Sequence, residues 1–545
     1  MMIGFRLGAA SRTRFLLVIA MTLGLAASAR AEGIFPVNDT GAGNWVFDQP
    51  SVVANGTVLH VAFVGDGTAG ADASPNTRLY YAAVNGGADF TNKVTTRAQV
   101  LVTAPVAIDN GAAYTDARHP QIAIRTSTEL VILFQARPGP GADYKLFRAL
   151  VTLSNNAVTF QRVDKIVNAS GNDFLTTALT DPSFALVTVD DTLRVAFSSY
   201  PSLVGAPYSD VYYARVGLDD ARVVYDPILL TKPYPPSITA SSPGVSPLPR
   251  LRLDGYNNSH IIWAANNSAG TPSPTGIYYA MVKTVPPSVV DDLAIGATQV
   301  LSGSSRWGFP NVFLTSTSNI WILAADEPPI GSTGMAGSVG ISEISPYAVT
   351  HDGNPVNVNN LGSNTSFFLN PPGGSVLSSN FDAYHPEVVL DSQGRVHVAG
   401  YGFRGTPPLY QGTPGRYYVM SLGSTVTGSG TSSIFASMVT SPVSVGIGDV
   451  AFATQLPDDY TRPAFMHFNG KSVFFWSGPD SVVAGARNLY VTSTFSPTDP
   501  TSQSGCSVVH DPRRGEAGRI PGAVALLLPA IFLALRRAAR KAFAR

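Results

Sequence analysis

A proline-centred pattern recurs seven times along the chain, at Pro50, Pro120, Pro182, Pro249, Pro310, Pro386 and Pro463, with spacings of 61 to 77 residues. Repeats of this length cannot bury an apolar face alone and must stack on their neighbours. Two positions after each proline stands an apolar residue: Val52, Ile122, Phe184, Leu251, Val312, Val388 or Phe465. Four positions after it stand Ala54, Ile124, Leu186, Leu253, Leu314 and Leu390, with His467 departing in the last repeat. A period of two places both residues on one face of a strand. Proline has no N–H to donate, so it is expected to open that strand.

A turn follows, as at Asn55-Gly56. A second strand then ends on an aromatic marker: Phe63, Phe134, Phe197, Trp263, Tyr401 or Trp476, with Leu323 in the fifth repeat. A third strand carries Tyr81, Phe147, Tyr213, Tyr279, Tyr418 or Tyr490, and the fifth repeat is degenerate near Val339 to Ile344. The longer intervals leave room for fourth strands at Arg97 to Thr103, Val223 to Leu230 and Thr298 to Leu301. The expected fold is therefore all-β, a seven-bladed β-propeller of four-stranded antiparallel blades. Its apolar layers lie between blades, and the recurrent aromatics are read as that packing. Composition agrees: only 13% of residues are charged, while 51 Gly and 41 Pro suit many short strands and turns. The last repeat has little room for an outer strand, so residues 33–48, with Trp45-Val46-Phe47, are expected to complete it.

The two ends read as addresses. Residues 1–31 form a signal peptide: Arg6, Arg12 and Arg14, an apolar run from Phe15 to Ala27, and small residues up to Ala31, with cleavage before Glu32. The propeller is assigned to 32–495 and a linker with Ser504-Gly505-Cys506 to 496–519. A transmembrane segment is assigned to 520–535, followed by a basic cytoplasmic tail at 536–545. The 16 residues from Ile520 to Leu535 are followed by Arg536, Arg537, Arg540, Lys541 and Arg545. Positive charge stays inside, so the body faces outward. Cys506 is the only cysteine, so no internal disulfide is available and the body must hold itself by packing.

A small motif, a hydrophobic helix and an Arg cluster together resemble the bacterial CTERM-type sorting signals, of the JDVT-CTERM and MYXO-CTERM kind. The resemblance implies an intramembrane sorting protease and attachment near Cys506. For the body, the order proline, strand, turn, aromatic-ended strand and Tyr-Tyr strand resembles the sialidase-like, Asp-box-type propeller superfamily. Its nearest stretch is Leu79-Tyr80-Tyr81-Ala82-Ala83-Val84-Asn85-Gly86-Gly87. The Asp-box itself is missing, as is an Arg-Ile-Pro in the first repeat, so the resemblance implies the fold and not sialidase activity.

In a propeller, residues ahead of the innermost strands crowd a central channel. These are Gln49, His119, Asp181, Leu248, Phe309, His385 and Arg462. Two repeats are alike, Asp116-Ala117-Arg118-His119-Pro120 and Asp382-Ala383-Tyr384-His385-Pro386. The candidate ligand-binding set at the mouth is accordingly Asp116, His119, Asp181, Asp382, His385 and Arg462, expected to converge on a shared channel. Acid–base or metal chemistry is open to such residues, but no close His or Cys spacing marks a metal site and no Gly-rich loop marks a phosphate site. No cofactor, metal or catalytic residue is assigned. Removing both termini leaves 24 basic and 34 acidic residues in 32–506, a net of −10, which argues against nucleic acid as a partner.

The expected partners are the export machinery with signal peptidase, the sorting protease, the membrane through the C-terminal helix, and an extracellular glycan or protein. The expected place is the outer surface or periplasmic side of a bacterial envelope. The function read from this is recognition by an anchored scaffold; the competing reading is a glycoside hydrolase or lyase working at the channel mouth.

Overall fold

The computed structural model describes residues 35–37, 46–66, 77–88, 97–108, 114–200, 210–231, 248–266, 275–284, 290–301, 306–314, 320–327, 338–344, 367–368, 381–390, 395–404, 414–425, 443–451, 464–468, 471–479 and 487–495. Within them the chain is nearly all β, with a single helical turn at Arg97–Val100. Each repeat folds as an antiparallel meander. Repeat two is the most regular: Thr115–Thr126, Glu129–Arg137, Lys145–Ser154 and Ala157–Lys165 pair in that order as a four-stranded sheet. Repeats three and six form four-stranded sheets of the same kind. Repeats four and five are joined by one parallel pair, Thr275 with Arg306. The last repeat and repeat one are joined by another, Val46 with Arg487. Four-stranded antiparallel sheets in tandem are the blades of a β-propeller.

The apolar residues of each sheet face both ways, which explains their continuous runs. In the second strand of repeat one, Leu59, Val61 and Phe63 pack against Val473, Phe475, Leu489 and Val491 of the last repeat. The intervening Ala62 and Val64 join Ile122, Leu130, Ile132 and Phe134 of repeat two. The same alternation fills the seam between repeats two and three, where Val131 and Leu133 meet Phe184, Val195 and Phe197. Between repeats three and four, Tyr213 and Ala196 meet Leu251, Ile261 and Trp263. The aromatic markers are the seams: Phe63, Phe134, Phe197, Tyr81, Tyr213 and Tyr279 are fully buried, and Trp263 and Trp476 nearly so. Truncating one of these to Ala removes about 3–5 kcal/mol in a typical core.

Three expectations need adjustment. Proline precedes the first strand directly in repeats four and seven, Arg250–Leu253 and Ala464–Phe468, but does not open it in the other five. In repeats one, two, three, five and six the strand starts several residues earlier, and the ladder slips at the proline, as between Asp48 and Ser51 or Thr180 and Ser183. The proline sits in a β-bulge, where a missing N–H costs no ladder bond. Secondly, Arg97–Val100 is helical, and the fourth strand of repeat one is Leu101–Ala107. Thirdly, the segment ahead of repeat one divides. Phe35 and Pro36 pair with Val491 and Tyr490 as the outer strand of the last repeat, and the Val37 N–H donates to Leu489 O at 2.7 Å. Val46 and Phe47 instead begin the first strand of repeat one, Val46–Asn55.

No helix among the described residues is long and apolar enough to cross a membrane. The segment 520–535 lies outside them, as do Ala31, Glu32, Cys506 and Arg462.

Candidate functional site at the centre of the first strands

The first strands of repeats one, two, three, four, six and seven together line a cavity of about 230 Å³. Its polar lining is Gln49, Ser51, His119, Gln121, Ser183, Arg250, Arg252 and Glu387. The bulges put these side chains there. The residue before the proline carries a positive φ in four repeats: Gln49 at 51°, His119 at 50°, Asp181 at 51° and Leu248 at 43°. A residue before proline is ordinarily extended, and the left-handed region costs a residue with a side chain about 1–2 kcal/mol. Hydrogen bonds compensate. The His119 N–H donates to Gln49 Oε1 and the Asp181 N–H to Gln135 Oε1, each at 2.6 Å.

In repeats one, two, three and five the residue after the proline links its repeat to the next. In the first three of these links the side chain accepts the N–H two positions past the next proline. The Ile122 N–H donates to Ser51 Oγ at 3.2 Å, the Phe184 N–H to Gln121 Oε1 at 3.1 Å and the Leu251 N–H to Ser183 Oγ at 3.0 Å. Gln121 also donates from Nε2 to Pro182 O at 2.8 Å. Repeat four carries Arg250 at this position, and arginine has no acceptor. The Val312 N–H of repeat five is met by its own neighbour, Asn311 Oδ1, at 2.9 Å, and Asn311 Nδ2 donates to Glu387 Oε2 of repeat six at 2.9 Å.

The predicted site residues separate. His119 lines the cavity, and its Nδ1 lies 2.8 Å from Asp181 Oδ1, both side chains being buried. Asp116 does not join them. It is buried in a second cluster, accepting from Tyr144 Oη, from Arg118 Nε at 3.0 Å and from Thr77 Oγ1 at 3.3 Å, with Arg137 Nε at 3.4 Å. Both guanidiniums lie over the Tyr144 ring, 5.2 and 4.6 Å from its centroid. Asp116 has a φ of 51° and the ladder slips between Thr115 and Arg118, so its side chain leaves the regular alternation and meets Arg118. The expected meeting of Asp116 with His119 therefore does not occur. Asp382 and His385 lie on the strand Phe381–Leu390, which slips between Tyr384 and Glu387 as the others do, but their side chains fall outside the described set.

Sequence reasoning passed over the residues that dominate the cavity. The signal was present: Ser51, Gln121, Ser183, Arg250, Asn311 and Glu387 all follow the repeat proline, and only Ala464 is apolar there. A polar residue at the same place in a strand built for burial marks a surface that is not a seam. The charges are concentrated in repeats four and six. Burial lowers the Arg252 pKa against the pull of Glu387. Burial raises that of Glu387, and this outweighs Arg250, Arg252 and the Asn311 hydrogen bond. Among the described residues no group of His, Cys, Asp and Glu is arranged to hold a metal ion.

No protein-family model matches the sequence, and no curated protein does either. Solved structures do resemble the fold. An ulvan lyase of polysaccharide lyase family 25, bound to a GlcA(1-4)Rha3S oligosaccharide, is 10% identical over 84% of this chain and 95% of its own, with a TM-score of 0.44. An α-L-arabinanase of Penicillium chrysogenum is 12% identical over 69% and 92%, with a TM-score of 0.39. An endo-arabinase of Bacteroides thetaiotaomicron is 12% identical over 58% and 98%, at 0.32. At these identities and scores the assignment of propeller blades stands on this chain's own strand pairing.

Proposed function

We propose that this chain is an exported, envelope-anchored β-propeller of seven blades that recognises an extracellular glycan or protein at the mouth of its central cavity. The proposal includes the signal peptide at 1–31, the propeller at 32–495, the sorting motif at Cys506, the membrane segment at 520–535 and the basic tail. The observation that carries the recognition reading is the cavity itself. Its walls are polar, its side chains come from six repeats, and its rigid frame is fixed by bonds between neighbouring blades. A concave polar surface on a stiff scaffold suits binding. Hydrolysis of a glycosidic bond ordinarily uses two carboxyl groups flanking the scissile bond, and among the described lining residues Glu387 is the one carboxylate.

A second reading keeps the enzyme. His119, oriented by Asp181 and lining the cavity, has the arrangement of a general base held in one tautomer. One experiment separates the two. Purified protein is exposed to a panel of neutral and acidic polysaccharides. Binding is read by calorimetry, turnover by new reducing ends and by the ultraviolet absorbance of unsaturated uronates. Recognition predicts saturable binding without turnover. Product formation that disappears in His119→Ala would replace it with the enzyme reading. Failure to bind any member of a glycan and envelope-protein panel would remove both.

A further inference from the structure

The sequence holds Asn-Gly pairs at Asn55-Gly56, Asn85-Gly86, Asn110-Gly111 and Asn469-Gly470, and the last two lie outside the described residues. Asparagine before glycine is open to attack by the next backbone nitrogen on its own side chain, because glycine has no Cβ to obstruct the approach. The fold treats the two described pairs in opposite ways. At Asn55 the ladder between the first two strands of repeat one closes with the pair Asn55 and Val58, so the Gly56 N–H stands outside it in a two-residue turn. Gly56 and Thr57 are exposed, and a Cβ on Gly56 would meet nothing within 4 Å. Gly56 has a φ of 60°, where a side chain is strained, so the turn keeps the glycine that leaves Asn55 open. The Asn55 side chain reaches across to repeat two, where its Nδ2 donates to Ser127 O at 2.8 Å in an exposed position.

At Asn85 both reacting groups are held. The Gly86 N–H donates to Thr57 O at 2.9 Å, and Asn85 Oδ1 accepts from the Gly87 N–H at 3.0 Å. Gly86 is buried, and a Cβ there would stand 2.6 Å from Phe468 Cε1.

We infer that Asn55 is a modification site, at which the folded protein converts to aspartate and isoaspartate with water as the co-reactant and no enzyme. The Gly56 nitrogen loses its proton and bonds to Asn55 Cγ. The Cγ–Nδ2 bond breaks, and the amide nitrogen takes up a proton and leaves as ammonia, so that a cyclic imide remains. Water then adds to either imide carbonyl and reopens the ring. A neutral donor becomes a carboxylate, which only accepts, and it faces Ser127 O, itself an acceptor. The contact between the turns of repeats one and two is therefore lost as the protein ages.

The test incubates purified full-length protein at mildly alkaline pH, folded and in denaturant, and reads conversion by peptide mass mapping with isoaspartate-specific labelling. In the folded protein Asn55 should convert about tenfold or more faster than Asn85, whose reaction must first break two hydrogen bonds. In denaturant the two sites should come within about twofold of each other, since neither turn persists. Aged protein and fresh Asn55→Asp should both show faster amide hydrogen exchange in the turns 54–58 and 126–129 than fresh parent protein. The aged parent protein keeps this arm decisive if Asn55→Asp fails to fold. Equal rates at the two sites in the folded protein overturn the inference. An Asn55 that stays intact when folded and converts in denaturant overturns it as well. Unchanged exchange in the aged protein overturns the loss of the contact.

Discussion

Repeats one and four are built on the same strands and differ in charge at two equivalent places. After the proline, repeat one has Ser51, which accepts the Ile122 N–H, whereas repeat four has Arg250, which accepts nothing and lines the cavity. On the second strand, repeat one has His60, whose Nδ1 meets Tyr81 Oη at 2.7 Å. Repeat four has His260, whose Nδ1 meets Tyr279 Oη at 2.9 Å, with Asp254 Oδ2 3.3 Å from its Nε2. The histidines stack on their tyrosines in the same way, with ring centroids 5.9 and 6.1 Å apart. Yet His60 Nε2 is buried without a hydrogen-bond partner. The comparison teaches a division of labour. Serine at this position joins blades through the N–H it accepts, whereas arginine cannot accept and lines the cavity instead.

Four measurements sharpen or break this comparison. The largest effect is expected in acid. Burial lowers the His60 pKa from 6.5 to about 4. The unfolded chain therefore takes up this proton first, and the contribution of His60 is lost as pH falls from 6.5 towards 4. Denaturant titration should show a loss of about 2–3 kcal/mol between pH 7 and pH 4.5 from this group. His60→Gln should flatten that limb. Burial pushes the Asp254 carboxyl up, but hydrogen bonds from His260 and Asn258 hold it below its ordinary value. The contribution of Asp254 is therefore lost only as pH falls through that depressed pKa. Next, Gln121→Ala removes both bonds to repeat three and leaves the Phe184 N–H without its acceptor, at a cost of about 2 kcal/mol. Ser51→Ala removes one bond and should cost about 1 kcal/mol, read as a lower midpoint with unchanged slope. The smallest effect is expected for Arg250→Ser, within about 1 kcal/mol of the parent, because serine restores at this place the acceptor that Ser51 and Ser183 supply in repeats one and three. A loss as large as that of Gln121→Ala would show that Arg250 is structural and would end the distinction between the two repeats.

Much of the fold was legible because seams repeat. Phe134, Tyr213 and Trp263 could be placed between blades from their spacing alone, since a two-sided sheet must bury both faces. The proline could not be placed correctly. Its missing N–H suits either the start of a strand or a bulge, and only the residues before it, from Val46 and Thr115 onward, decide that it is a bulge. The same slip shapes the site. His119 lines the cavity, and Asp181 lies against His119. Asp116 was grouped with His119 by sequence proximity, but an extra residue in the strand sends it to Arg118, Arg137 and Tyr144. Arg250 and Glu387 were legible only as the two charged members of the row that follows the repeat proline.

The pairing of Phe35 and Pro36 with Tyr490 and Val491 sets the order of events during synthesis. A chain that emerges N-terminus first exposes this short segment hundreds of residues before its partner strand exists. Contacts so distant in sequence form late. The earlier repeats must therefore stack as an open arc, with one bare apolar face at each end, until the final repeat arrives to latch them. That interval, rather than the finished ring, is when the protein is most vulnerable to its own kind.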